Sequence, residues 1–309
     1  MTRTLSLCPV LLVAALVGLA AGGSEAGWQS HSPLPEPRSE VAAGRAASEL
    51  VVVGGFTADG HNSARADAYW PAGDRWRRMA DLPAAVDHAA GASANGRMYV
   101  VGGYGADRQP LRSVFVLDGG FWRALPRMPG GRAAAAAAVA NGRLYVLGGR
   151  NGRRALARDA FVFTLATGRW ERIRGPAPRE HLAAASSRGR VYAIGGRAAG
   201  IDTNSARFEV YDPGTRTWSR LAPLPEARGG TGAAAIGGRI VSVGGEQPAG
   251  TIRTVYSYDT ATKRWSRLPD LPTPRHGLGV VEEGGSIWVL AGGPVPGLTV
   301  SGAVESLKP

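Results

Sequence analysis

Cysteine occurs once, as Cys8. That excludes a disulfide framework and any zinc site built on four thiolates. Lysine occurs only as Lys263 and Lys308, so nearly all of the 36 basic residues are arginines, and against 24 acids they leave a formal charge of +12. No Gly-x-Ser-x-Gly elbow, His-Glu-x-x-His pair or phosphate-cradling glycine loop is present, which removes the commonest hydrolase, zinc-peptidase and nucleotide-binding readings. Beyond the first twenty or so residues no stretch is long and apolar enough to span a bilayer, which takes about twenty residues. The chain is not polar enough to be disordered either, with 44% hydrophobic and 19% charged residues.

What is abundant is glycine, 45 residues, with 21 prolines. Such a content suits many short strands joined by tight turns rather than helices. The N-terminus differs from the rest. Arg3 precedes an apolar run from Leu5 to Leu19, a length that fits the core of a signal peptide and is short for a membrane span. Ser24-Glu25-Ala26 places small residues where a signal peptidase would need them, so residues 1–26 are expected to be a signal peptide and residues 27–309 the mature domain. A cut near Ala20–Gly22 and an uncleaved anchor helix are the alternatives. The expected location is secreted or periplasmic. Removal of Cys8 would leave a chain without sulfur for a disulfide.

One unit recurs through the remainder. Glycine pairs close an apolar run at Gly54, Gly102, Gly148, Gly195, Gly244 and Gly292, each followed by a second glycine, at intervals of 48, 46, 47, 49 and 48. Trp28, Trp76, Trp122, Trp170, Trp218 and Trp265 keep the same beat, at intervals of 48, 46, 48, 48 and 47. The fourth unit shows four strand-length segments most clearly: the Ala-rich stretch Arg179 to Ser187, the β-branched run Arg190 to Gly196, the alternating Arg207 to Asp212, and Arg216 to Leu221. Ala133 to Ala138 is a run of six alanines, and alanine has the highest helix propensity. Its alignment with Ala89–Ser93, Leu182–Ser186 and Gly230–Ala234 predicts an innermost strand instead, where neighbouring units converge on an axis and only small side chains fit.

The sequence Gly142-Arg-Leu-Tyr-Val-Leu-Gly-Gly149, the Val-Tyr-Asp-Pro ending at Pro213, Trp218 and Leu-Pro-x-x-Arg228 resemble the kelch repeat. The resemblance runs over about residues 28 to 307, is of the bacterial exported type, and implies an all-β, six-bladed β-propeller of four-stranded blades. Three blades depart from the pattern: blade 1 at Ala68-Tyr69-Trp70-Pro71, blade 3 at Phe163-Thr164-Leu165, and blade 6, one residue out of step at its glycine pair. Trp28 has no strands before it, and Gly302–Leu307 reads as a third strand with no fourth. The N-terminal strand is therefore expected to close the ring as the outer strand of blade 6, leaving no open edge.

The propeller winding puts two sets of loops on one face: those entering the first strands, and those joining second to third strands. First strands begin at Arg38, Val86, Arg132, Arg179, Arg228 and Arg275. Two readings of the arginines stand open. A guanidinium is a planar fork suited to a carboxylate ligand, and it can equally tie blades together through backbone carbonyls. Beside the arginines lie Glu40, His88, Glu180, His181 and His276, and a second-to-third-strand loop adds Glu246. Glu40, His88, Glu180, His181 and Glu246 are candidates for acid–base chemistry. Arg38, Arg132, Arg179, Arg228, Arg275 and His276 are candidates for binding. A three-histidine metal site from His88, His181 and His276 is disfavoured, because alternate blades are expected to hold them on opposing sides of a channel and metal–nitrogen bonds are only about 2.0–2.1 Å. No metal or cofactor is expected.

The functional expectation is an exported, monomeric binding module for an acidic peptide or glycan, with catalysis left open. The alternative is a sugar mutarotase or epimerase, similar in architecture to periplasmic six-bladed kelch proteins acting on sialic acid. A copper-radical oxidase resembling galactose oxidase is excluded, since it needs a cysteine cross-linked to tyrosine. Nucleic acid is not an expected partner, because the chain reads as exported and carries no recognition helix or base-stacking motif.

Overall fold

The computed structural model describes residues 27–309. The expected signal peptide, residues 1–26, lies outside the described residues. The described chain forms six four-stranded antiparallel sheets and one two-stranded ribbon, Glu246–Gln247 with Gly250–Thr251, which interrupts blade 5 between its second and third strands; the strands of each blade otherwise follow in chain order except in the last. In blade 4 these are Ala183–Ser187, Arg190–Ile194, Phe208–Asp212 and Thr217–Arg220. In blade 6 the strands Gly279–Glu283, Ser286–Leu290 and Val304–Leu307 are completed by Trp28–Ser30. That N-terminal strand pairs Trp28 with Leu307 and Ser30 with Glu305, so the ring closes as the unpaired ends of the repeat require. Among the described residues the helical pieces are two single 3₁₀ turns, Pro71–Gly73 and Ile201–Thr203. No described helix is long and apolar enough to cross a membrane.

The alanine run is not helical: its second half is strand, while Ala134 is left-handed at φ 49°. Ala136–Ala140 is the innermost strand of blade 3, and Ala133 bridges Arg150. Tertiary packing overrides helix propensity here because the axis admits little more than a methyl group. At Gly91 even that is too much, since an added Cβ would lie 2.2 Å from the carbonyl oxygen of Ala43 in the preceding blade.

Hydrophobic cores lie between successive blades. Val51, Val53 and Ala68 of blade 1 pack with Met98, Val100 and Leu117 of blade 2. Leu50, Val52 and Tyr69 of blade 1 pack with Val281, Trp288 and Leu290 of blade 6, which makes the closure a full interface. Two sets of hydrogen bonds repeat around the ring. The Nε1 groups of Trp28, Trp76, Trp122, Trp170, Trp218 and Trp265 donate to the carbonyls of Pro269, Ser32, Ala80, Pro126, Arg174 and Ala222 in the preceding blade, at 2.8–3.0 Å. The second glycine of each pair donates its N–H to the carbonyl of the next blade's first-strand start, as Gly103 does to Arg132 and Gly196 to Arg228, both at 2.8 Å. Blade 6 keeps this bond through Gly292, which donates to Arg38 at 2.8 Å. Ala291 takes the first glycine's place at φ 58°, which accounts for the one-residue offset in its sequence.

Candidate functional site

Each first strand is entered through three residues with separate tasks. The first is the arginine, or Val86 in blade 2. The second bridges the residue that follows the glycine pair: Ser39 to Phe56, Asp87 to Tyr104, Ala133 to Arg150, Glu180 to Arg197, Gly229 to Glu246 and His276 to Gly293. This bridge places the two expected loop sets on one face. The third position is left-handed in every blade: Glu40 at φ 52°, His88 at 51°, Ala134 at 49°, His181 at 51°, Gly230 at 65° and Gly277 at 58°.

These third residues form a closed belt of backbone hydrogen bonds around the axis. His88 N–H donates to Glu40 O at 3.0 Å, Ala134 to His88 at 3.0 Å, His181 to Ala134 at 2.9 Å, Gly230 to His181 at 3.0 Å and Gly277 to Gly230 at 3.0 Å. Val41 N–H completes it by donating to Gly277 O at 3.4 Å. The belt narrows the channel mouth and brings its side chains together. The expectation that channel width separates the alternate-blade histidines is therefore corrected. The rings of His88 and His181 lie 4.9 Å apart, edge to face, and Glu40, His88 and His181 each offer a ligand atom within 4.8 Å of the others. His276 stands one register earlier and sits behind Glu40, its Nδ1 3.2 Å from Glu40 Oε1 and 3.7 Å from Glu246 Oε2.

The arginines require a second correction. Arg38, Arg228 and Arg275 are wholly buried, and Arg132 and Arg179 nearly so, so these guanidinium groups do not face water. Arg275 donates to the carbonyls of Ala291 and Thr273, both at 2.8 Å, and to Glu305 Oε2 at 2.6 Å. Arg179 is held by Gly195 O and Glu209 Oε2, both at 2.5 Å, and Arg38 by Arg65 O and Asp67 Oδ2, both at 2.5 Å. Arg132 meets Asp159 Oδ1 at 2.5 Å and lies over the Phe161 ring at 4.1 Å. Arg228 donates to Thr254 O at 2.9 Å and to Glu226 Oε2 at 3.1 Å. Burial pushes Arg38 and Arg228 down to about 10, with Asp67 and Glu226 respectively opposing it. They remain cations at neutral pH, each paired with an acid inside the fold, though Arg38 Nε makes no hydrogen bond.

The exchangeable charge of the mouth lies in a second network. Asp87 Oδ1 is 2.5 Å from His88 Nδ1, and Asp87 Oδ2 accepts from Arg108 Nη1 at 2.5 Å. Glu180 is paired with Arg150. Arg197 Nη1 donates to Glu246 Oε1 at 2.7 Å. Burial by itself would raise the Glu40 carboxyl, but the His88 imidazole and the hydrogen bond from His276 hold it well below the usual carboxylate range. Glu180 is likewise burdened by burial, yet His181 and Arg150 bring it to about 2. Burial lowers His181. It also acts to lower His88 and His276, where Glu40 and the neighbouring carboxylates outweigh it and the net shift is upward.

Sequence reasoning picked out Glu40, His88, Glu180, His181, Glu246 and His276, and all six meet at this mouth. It missed the acids that occupy the arginines. Asp67, Glu209 and Glu305 stand at matching places on the third strands, and only blades with a first-strand arginine carry them. It missed as well the meaning of Gly230 and Gly277, whose alignment with Glu40, His88 and His181 marks a left-handed position.

Comparison with known families bears on the repeats. Residues 76–223 match the family model of the KLHDC2/KLHL20/DRC7 Kelch-repeats domain, and residues 227–272 match that of the Kelch motif. Together these spans run from the outer strand of blade 1 through blade 5. No curated protein matches the chain.

Proposed function

The chain is a kelch-repeat β-propeller, and we propose that it is an exported, monomeric binding module that takes an acidic segment of a partner protein across the face carrying the second-to-third-strand loops. Kelch propellers generally act as protein-interaction modules. The observation that carries the acidic preference is the pair Arg153 and Arg154 at the tip of the blade 3 loop. Both are exposed, and neither is among the ion pairs of the described residues. The tip is held in shape by Asn151 Oδ1, which accepts from the N–H groups of Arg153 at 2.9 Å and Ala155 at 3.2 Å. Arg154 Nη2 also donates to the Arg108 carbonyl at 3.3 Å, so the loops of blades 2 and 3 present one basic rim. Val295 and Leu298, 57% and 58% exposed on the blade 6 loop, supply apolar contact on the same face. That combination favours a peptide over a glycan. Export rests on the apolar run Leu5–Leu19 with Arg3 before it.

The test is fluorescence anisotropy with length-matched acidic, neutral and basic peptides, and with sialylated and neutral oligosaccharides. The acidic peptides should bind in a salt-sensitive manner, and Arg153→Ala with Arg154→Ala together should weaken them by about tenfold, as two exposed charge contacts of up to about 1 kcal/mol each would allow. Equal binding of acidic and neutral peptides would refute the reading, and elution above monomer size on gel filtration would refute the monomer.

A sugar mutarotase or epimerase is the second reading, favoured by the buried carboxylate–imidazole pairs Asp87–His88 and Glu40–His276. Anomeric exchange of sialic acid followed by NMR, accelerated by the protein and lost in His88→Gln, would support it.

A further inference from the structure

We propose that Glu40, His88 and His181 form a binding site for one divalent first-row transition-metal ion, of which Zn²⁺ is the natural probe, at the mouth end of the axial channel. The inference concerns the floor of the mouth rather than the loop tips, and it does not rest on the peptide reading.

The ligand chemistry is two imidazoles and one carboxylate, a set suited to zinc and its neighbours. Their spacing fits. Donors 2.0–2.1 Å from a tetrahedral centre lie about 3.4 Å apart, and His88 Nε2 is 3.4 Å from Glu40 Oε2. All three ligand atoms fall within 4.8 Å of one another, so small side-chain rotations close the remaining gap.

The supporting contacts are those a metal site needs. His88 Nδ1 is engaged by Asp87 Oδ1 at 2.5 Å. This pairing puts the proton on Nδ1 and leaves the Nε2 lone pair facing Glu40, the arrangement that orients metal-binding histidines. Asp87 is itself fixed by Arg108. Glu40 is steadied from behind by His276, whose Nε2 contacts the Val295 carbonyl at 3.1 Å.

Two further observations favour a cation at this place. Glu180, Asp87 and Glu246 each have a guanidinium partner, whereas Glu40, with its side chain 12% exposed, faces only imidazoles. His181, with its side chain 10% exposed, has a buried Nδ1 that makes no hydrogen bond, its carboxylate neighbour Glu180 Oε1 standing 3.6 Å away. A buried polar atom left in that state is costly, and a buried carboxylate calls for a compensating charge. A divalent ion held by Glu40, His88 and His181 supplies that charge.

The belt positions add to this. Non-glycine residues in the left-handed region cost free energy, and blades 5 and 6 use glycine there. Glu40, His88 and His181 keep functional side chains at positions where glycine is preferred, and all three project over one end of the channel. Below them a cavity of about 120 Å³ is walled almost wholly by alanine, glycine and aliphatic side chains, with Thr231 the other polar group. The wall offers no competing ligands and leaves room for water, so the site would have three protein ligands and an open position.

The experiment uses the purified protein, stripped with chelator and dialysed. Zn²⁺ titrated by calorimetry should bind with one equivalent, and Co²⁺ should give the intense visible bands of a four- or five-coordinate site. Glu40→Gln, His88→Gln and His181→Asn should each weaken Zn²⁺ by at least about tenfold, in the manner of lost metal ligands, while Arg153→Ala should leave it unchanged. Because a belt variant can misfold, the wild-type protein supplies a second readout. In ¹⁵N imidazole spectra, Zn²⁺ should shift His88 and His181 and leave His31 and His61 in place. Absence of saturable binding, retention of full affinity in all three ligand variants, or shifts confined to His31 or His61 would each overturn the proposal.

Discussion

Glu305, on the third strand of blade 6, holds its Oε2 2.6 Å from Nη1 of Arg275, at the entry to the same blade's first strand, and both side chains are buried. The pairing is a repeat feature rather than a local accident. Arg38 with Asp67, Arg132 with Asp159 and Arg179 with Glu209 repeat it. Where the arginine is replaced by Val86, the facing side chain is Phe115 in the same apolar cluster. Blade 5 varies the theme, holding Arg228 with Thr254, Glu226 and the face of Tyr256 at 5.3 Å. Arginine and acid are thus gained or lost together, as burial of an ion demands.

Arg275→Ala should therefore destabilise the fold by about 3–5 kcal/mol, because Glu305 is left as an unpaired buried charge. Replacing the pair together, Arg275→Met with Glu305→Leu, should cost much less than the sum of the single changes. Urea unfolding of the four proteins in this cycle tests it, and additive losses would show that the two residues are not coupled.

Trp265 illustrates the clasp between blades. Trp265→Phe removes the bond to Ala222 O while keeping an aromatic ring against Phe208 and Tyr258, and should cost about 1 kcal/mol. Trp265→Ala also removes packing and should cost about 3 kcal/mol. Equal effects of the two substitutions on thermal unfolding would mean that the ring contributes little.

The left-handed belt makes opposite predictions at two equivalent positions. Ala134→Gly should stabilise by up to about 1 kcal/mol, since it relieves a strained φ of 49°. Gly277→Ala should destabilise, because its Cβ would stand 2.5 Å from Glu40 Oε1 and 2.8 Å from Glu40 N. Melting temperatures measured side by side decide the matter.

Ring closure should weaken in mild acid. His31 follows the closing strand, accepts or donates to Ser306 Oγ at 2.8 Å and lies 4.5 Å from the Trp288 ring. Burial lowers its pKa below 6.5, with Asp74 partly opposing. The unfolded chain then binds a proton more readily than the folded one, so this contribution is present above pH 6.5 and is lost as pH falls through the lowered folded value. His31→Phe should flatten the dependence of melting temperature on pH between about 7 and 5 relative to the parent. An unchanged slope would assign the dependence to other groups.

Much of this architecture was legible in the amino-acid order because it depends on periodicity. The spacing of the glycine pairs and of the tryptophans counts the blades, and Trp28 standing alone before the first repeat, with Gly302–Leu307 after the last, predicts how the ring closes. Even the innermost strand that takes in Ala136–Ala138 follows from alignment, against the helix propensity of the run, although its first three alanines lie ahead of the strand. The candidate acids and histidines could be found the same way, since register within one blade is a local property.

What register could not supply was the distance between blades or the company a side chain keeps. Five arginines at the mouth could be read as ligands' partners or as braces. Only packing showed that Asp67, Asp159, Glu209, Glu305 and a set of carbonyls had already enclosed them. Glu40, His88 and His181 come from blades 1, 2 and 4, and their convergence depends on the closed radius of the ring and on a left-handed turn at each position. Both are products of the assembled propeller, in which side chains far apart in sequence share the small space around one axis.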